Sequence, residues 1–231
     1  MKQKLHTRRG FTLVELLVVI VIIAALAGLT APMVIRQRKK ADQTEAVNNA
    51  RQIGLGLMEF ETEYSSYPDS TTATAVTTAT GNTPKTGSTA NALFHQLFAA
   101  GYTQSEAMFY CKSAYTKKPD GDISTSTKAL DAGETGFGII MNGTAAFNAS
   151  SNPGRPICAA PFTSDVAADT FDKDIFDGKA VILKIDNSVV SANINPTSKK
   201  VTLNGKLLLD TSAGSLFEGS SPTWSYPVAK P

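Results

Sequence analysis

Apolar positions are unevenly spread along the chain. Between Glu15 and Arg36 the run LLVVIVIIAALAGLTAPMVI holds 20 residues without a charge. As a helix it would span about 30 Å, the depth of a bilayer core. Beyond Lys40 the pattern changes without stopping. Ala46, Ala50, Ile53, Leu57, Phe60, Tyr64 and Tyr67 recur at alternating steps of four and three, which is one face of an α-helix. The spacing therefore predicts a single long helix, with a membrane-spanning half over residues 11–35 and an amphipathic half over 36–67. Pro68 should stop it, since it lacks an N–H and disfavours helical geometry at Tyr67. Gly54 and Gly56 lie within the amphipathic half. Each costs about 1 kcal/mol relative to alanine in a helix, unless a close approach requires it.

Residues 68–231 read as a globular head. Residues 70–92, rich in Thr, Ala and Ser, lack a sustained period and predict a surface loop. NALFHQLFAAGY puts Leu93, Phe94, Leu97 and Phe98 on one helical face closed by Gly101. Strands are then predicted in TGFGIIMNG and RPICAAPF. A hairpin is predicted in KAVILKIDNSVVSANI, turning at Asp186-Asn187-Ser188. A second, in KKVTLNGKLLLD, turns tightly at Asn204-Gly205. One long helix packed on a mostly antiparallel C-terminal sheet is an α+β architecture.

Charge and chemistry narrow the function. The net charge of +2 is too small to indicate a nucleic-acid partner. Loss of a leader ending at Gly10 would remove Lys2, Lys4, Arg8 and Arg9, leaving 18 basic against 20 acidic side chains. No catalytic set is evident. His95 lies between Phe94 and Leu97 as an edge-of-core histidine, with no serine or cysteine motif beside it, and no zinc spacing exists. GNTPKTGS lacks the ending of a phosphate loop. Asp169, Asp172, Asp174 and Asp177 crowd hard oxygen ligands together, as calcium prefers, but miss the helix-loop-helix calcium pattern. The expectation is therefore no cofactor, with calcium at this loop as the one candidate. Trp224 reads as a packing residue. Cys111 and Cys158 are the only cysteines, an even pair that permits one disulfide in an exported chain.

The N-terminus admits three readings. A basic start and the small residues of AALAG suit a secretory signal, but the apolar run is too long and Glu15 sits at its start. Paired Arg8-Arg9 before Phe11 suit twin-arginine export, which Glu15 also opposes. The flanking cations, with Arg36, Arg38, Lys39 and Lys40 on the far side, leave the orientation open.

The third reading uses more residues. RRGFTLVELLVVIVIIAALAGLTAP resembles the leader and first helix of type IV pilins and of type II secretion pseudopilins. Gly10 stands where that family is cut. Phe11 would be the new, N-methylated terminus, Glu15 its fifth residue and Pro32 its twenty-second. The helix end EFETEYSSYPDS, and more loosely ALFHQLFAAGYTQSEAMFYC with GKAVILKIDNSV, are similar to the G-type pseudopilins. The resemblance implies a cytoplasmic leader over residues 1–10, a prepilin peptidase, inner-membrane assembly machinery and a periplasmic head. It implies membrane lipid around the helix before assembly, and afterwards a homo-oligomeric or mixed filament. The function it implies is a structural subunit of a secretion pseudopilus. The alternatives are a type IV pilus subunit and a minor tip adhesin. Ionisable residues inside membrane segments are functional candidates. Pairing with the amine of Phe11 on a neighbouring subunit would offset the burial of Glu15, giving Glu15 and Pro32 assembly roles.

Overall fold

A computed structural model describes residues 11–164 and 169–231. The chain forms two compact units, one ending at Arg38 and the other spanning Lys39–Pro231. Helix α1 covers Leu13–Tyr64, with Pro32 inside it. In the first unit its apolar side chains point outward: no large apolar residue from Leu13 to Ile35 among those described is less than 45% exposed. The helix is long and apolar enough to cross a membrane.

In the second unit the alternating stripe is the buried face of α1. Ala46, Ala50, Ile53, Leu57 and Phe60 are each at most 1% exposed. The helix ends at Tyr64, three residues before the expected stop. Ser65 turns left-handed at φ 63° while its N–H still donates to Glu61 O. Tyr67 is already outside, its N–H given to Phe147 O, so the left-handed residue ends the helix before Pro68 can.

Of residues 70–92, expected to form one loop, only 81–89 are irregular. Ser70–Thr80 form helix α2 and Ala90–Ala99 form α3. The Asp69 carboxylate accepts from the N–H groups of Thr71 and Thr72, Thr72 Oγ1 accepts from the Asp69 N–H, and Gly81 closes the helix at φ 75°. Thr77, Thr78 and Thr80 donate their hydroxyls to the carbonyls four residues back. Burial is confined to Thr72 and Val76, too short a stripe to show as a period.

The head sheet comprises β1 (Gly138–Asn142), β2 (Pro156–Ala160), β3 (Lys179–Lys184), β4 (Val189–Asn193) and β7 (Pro222–Ser225), with β5 (Thr202–Leu203) and β6 (Lys206–Leu207) forming a separate hairpin. The order is β4-β3-β2-β1-β7, and every neighbouring pair is antiparallel. The two predicted hairpins form, with Asn187 at φ 60° and Asn204 and Gly205 at 53° and 80°. Strand β7 carries no periodic signal, and its opening proline suits the sheet edge. Alternation along β3 sends Val181 and Leu183 to the core shared with α1. Ala180 and Ile182 go to a second core with Phe162, Phe171, Val201 and Leu208. Trp224 packs edge-on to Phe162 with ring centroids 5.0 Å apart, the packing role expected of it.

Glycine serves two purposes in α1. A Cβ on Gly54 would lie 2.1 Å from Asn187 Oδ1 and 3.1 Å from Leu183 Cδ1, so the β3–β4 turn sits directly on the helix backbone. A Cβ on Gly56 would meet Leu97 and Met108 at 3.6 Å, an ordinary contact. Gly54→Ala should therefore destabilise by about 1–2 kcal/mol through overpacking. Gly56→Ala should stabilise by up to about 1 kcal/mol through helix propensity. Thermal melts of the two variants should shift in opposite directions.

The expected disulfide is absent. Cys111 and Cys158 are free, buried thiols, and each is packed by its own neighbours. Cys158 lies in β2 opposite Ile139 and Leu183, whereas Cys111 lies against the Gly136 backbone. Burial pushes both thiols well above their usual range, and the thiolate is the reactive form. Neither should alkylate in the native protein, and both should alkylate in denaturant without reductant. Blockage relieved only by reductant would instead show a bridge.

Candidate processing and assembly site

The start of α1 is built by local sequence. In Thr12-Leu13-Val14-Glu15, Thr12 Oγ1 accepts the Glu15 N–H at 3.2 Å. Glu15 Oε2 accepts the Thr12 N–H at 2.9 Å and the Thr12 hydroxyl at 2.7 Å. This is a reciprocal capping box, with a threonine at the N-cap and a glutamate three residues on. It satisfies two of the N–H groups that a helix start leaves without partners. It also places a carboxylate in the first turn, where the helix dipole favours one. Phe11 precedes the box at 78% exposure. The T-x-x-E spacing of Thr12 and Glu15 is itself the sequence signal for this cap. Gly10 lies outside the described residues, as do the side-chain surroundings of Pro32.

The chain therefore presents an exposed Phe11, a capped helix start and an apolar surface unmatched by packing within its own unit. Two comparisons bear on this arrangement. The model of the prokaryotic N-terminal methylation motif matches residues 5–31. The chain is 35% identical over 65 residues to the type II secretion system core protein G of Pectobacterium carotovorum subsp. carotovorum, 28% of this chain and 42% of that protein. It is 39% identical over 61 residues to the protein of the same name from Escherichia coli K12, 26% of this chain and 42% of that protein. The N-terminal part of the chain is thus similar to that of the type II secretion core G proteins and carries the prokaryotic N-terminal methylation motif. It spans less than half the length of the curated relatives it matches. No solved structure matches significantly.

The head redistributes the other candidate residues. His95 is buried in α3, its Nδ1 accepting the Lys85 N–H. Burial, reinforced by Lys85, lowers its pKa to about 4, so it is a neutral structural acceptor at physiological pH. The acidic loop at 169–177 does not converge: Asp169 accepts the Tyr226 hydroxyl and Asp172 accepts the Asp174 N–H. Among the described residues, the acids that come together are Glu106, Asp120 and Glu134. Separated by 14 residues at each step, they form no sequence motif.

Proposed function

We propose that the chain is a non-catalytic structural subunit of a type II secretion pseudopilus. The observation that carries this reading is the capped, outward-facing apolar half of α1, most of which lies within the matched methylation motif. Apolar surface of that extent needs a partner. A bilayer provides one before assembly, and the same helices of neighbouring subunits provide one afterwards. In this reading a prepilin peptidase cuts after Gly10, Phe11 is N-methylated, and the helix holds the chain in the bacterial inner membrane with the head in the periplasm. Pro32 and Glu15 then act in assembly.

Mass spectrometry of protein extracted from a host with a prepilin peptidase provides the test. The expected mature chain begins at methylated Phe11. An intact Met1, or a terminus within AALAG, would overturn the reading.

A further inference from the structure

In the head, helix α2, residues 83–88 and the edge strand β7 border a cleft of about 730 Å³, a volume that suits a small-molecule ligand. Its buried lining is partly apolar, with Leu93 at 2% and Met141 at 4% exposure. Strand β7 ends the sheet, and an edge strand carries unpaired backbone N–H and C=O groups. Thr223 lies opposite Met141 and Ser225 opposite Ile139, so the side chains of Met141, Thr223 and Ser225 share one face of the sheet. All three line the cleft.

The two charged residues of the lining are committed elsewhere. The Asp69 carboxylate accepts the N–H groups of Thr71, Thr72 and Ala146 and the Thr71 hydroxyl. Lys85 Nζ donates to Leu130 O at 3.0 Å. Several lining hydroxyls have also spent their protons. Thr77 and Thr78 donate to the Ala73 and Thr74 carbonyls at 3.0 and 2.9 Å, and Thr223 donates to Gly143 O at 2.8 Å. A hydroxyl has one proton and two lone pairs, so these three offer the cleft acceptor capacity alone. Ser225 differs. It is 6% exposed, and its hydroxyl has no hydrogen-bond partner among the described residues. A buried polar group is costly unless something meets it.

We propose that this cleft binds a short, uncharged saccharide, which donates hydroxyls to Thr77, Thr223 and Ser225 and lays a C–H face on Leu93 and Met141. Sugar hydroxyls both donate and accept, so they match the spent hydroxyls as well as the free Ser225. A phosphorylated or carboxylated ligand would find no uncommitted cation in the lining. An aliphatic chain would leave the Ser225 hydroxyl without a partner. An extended peptide would set its carbonyls against the lone pairs of Thr77, Thr78 and Thr223. The proposal concerns the head and does not rest on how α1 is processed or assembled.

Trp224 is the only tryptophan in the chain and lines the cleft, so its fluorescence reports occupancy. The full chain is kept in a polyoxyethylene detergent, because sugar-headed detergents would compete. It is titrated with maltose, cellobiose, lactose and N,N′-diacetylchitobiose, and in parallel with glucose 6-phosphate and a capped alanine peptide. Saturation-transfer NMR is recorded on the same samples. At least one disaccharide is expected to change Trp224 emission saturably, and the phosphorylated sugar and the peptide are not. Ser225→Ala should weaken that binding on the order of tenfold without lowering Tm, because no protein partner is lost. Thr74→Phe, at an exposed position on α2, should fill the cleft and abolish the response with the fold retained. No response by either method to any of the four disaccharides would overturn the proposal. So would a response that survives both substitutions, which would place the sugar elsewhere. Binding of the peptide but of no disaccharide would make the cleft a peptide groove and overturn it as well.

Discussion

Glu15→Gln is expected to insert into the membrane and be cut after Gly10, yet to assemble poorly, with filament yield falling on the order of tenfold or more. Losing one partner of a buried ion pair is strongly destabilising. The choice of glutamine follows from the capping box. Glutamine at this position can still reach back to the Thr12 N–H, so the helix start is kept while the charge is lost. Glu15→Ala removes both. Thr12→Ala removes the N-cap oxygen and leaves the charge. If the Glu15 carboxylate meets the Phe11 amine of a neighbouring subunit, both Glu15 variants assemble poorly and Thr12→Ala assembles better than either. If local capping is the whole role, Glu15→Gln builds filaments at wild-type yield and Thr12→Ala resembles Glu15→Ala. Cleavage measured in the same cells separates assembly from peptidase recognition, because a variant left uncut never reaches the assembly step.

The features legible in the sequence were those written as long periods or tight turns. The stripe from Ala46 to Phe60 predicted the buried face of α1 residue by residue. Asn204-Gly205 predicted its hairpin, because both residues must adopt positive φ. Elements held by a few specific contacts were not legible. Strand β7 is four residues long at a sheet edge. Its place is set by pairing with β1 and by Trp224 against Phe162, both distant in sequence. The candidate site divides in the same way. Glu15 was visible as a charge in an apolar run, whereas the convergence of Glu106, Asp120 and Glu134 depends on the path of an irregular segment that no local pattern encodes.

Helix α2 shows the same limit and yields the second large effect. Its composition reads as a loop because threonine and serine compete with the helix backbone for hydrogen bonds. Its formation depends on Asp69, which is 5% exposed. Asp69 Oδ1 accepts the N–H groups of Thr71 and Thr72 at 2.8 and 2.9 Å and the Thr71 hydroxyl at 2.7 Å. Oδ2 accepts the Ala146 N–H at 3.2 Å, from the turn after β1. The Asp69 carbonyl accepts Gln96 Nε2 of α3 at 2.7 Å. One side chain thus caps α2 and ties it to the sheet. Asp69→Ala should destabilise the head by about 3 kcal/mol, since it removes an N-cap worth about 1 kcal/mol and strands buried donors that a charged acceptor had satisfied. Asp69→Asn should cost less, because one oxygen remains to accept. The pH dependence distinguishes this from a general packing loss. Burial raises the Asp69 carboxyl, but the hydrogen bonds from Thr71, Thr72 and Ala146 outweigh it and hold it below the usual carboxylate range. A depressed native value means that the stabilisation is complete above the unfolded value of about 3.9 and disappears as pH falls through the native value beneath it. Wild type should therefore lose more stability than Asp69→Ala between pH 5 and the acid limit, at roughly the pH range where carboxylates titrate. Parallel melting curves for the two proteins across that range would show that the Asp69 carboxylate is not what holds α2 in place.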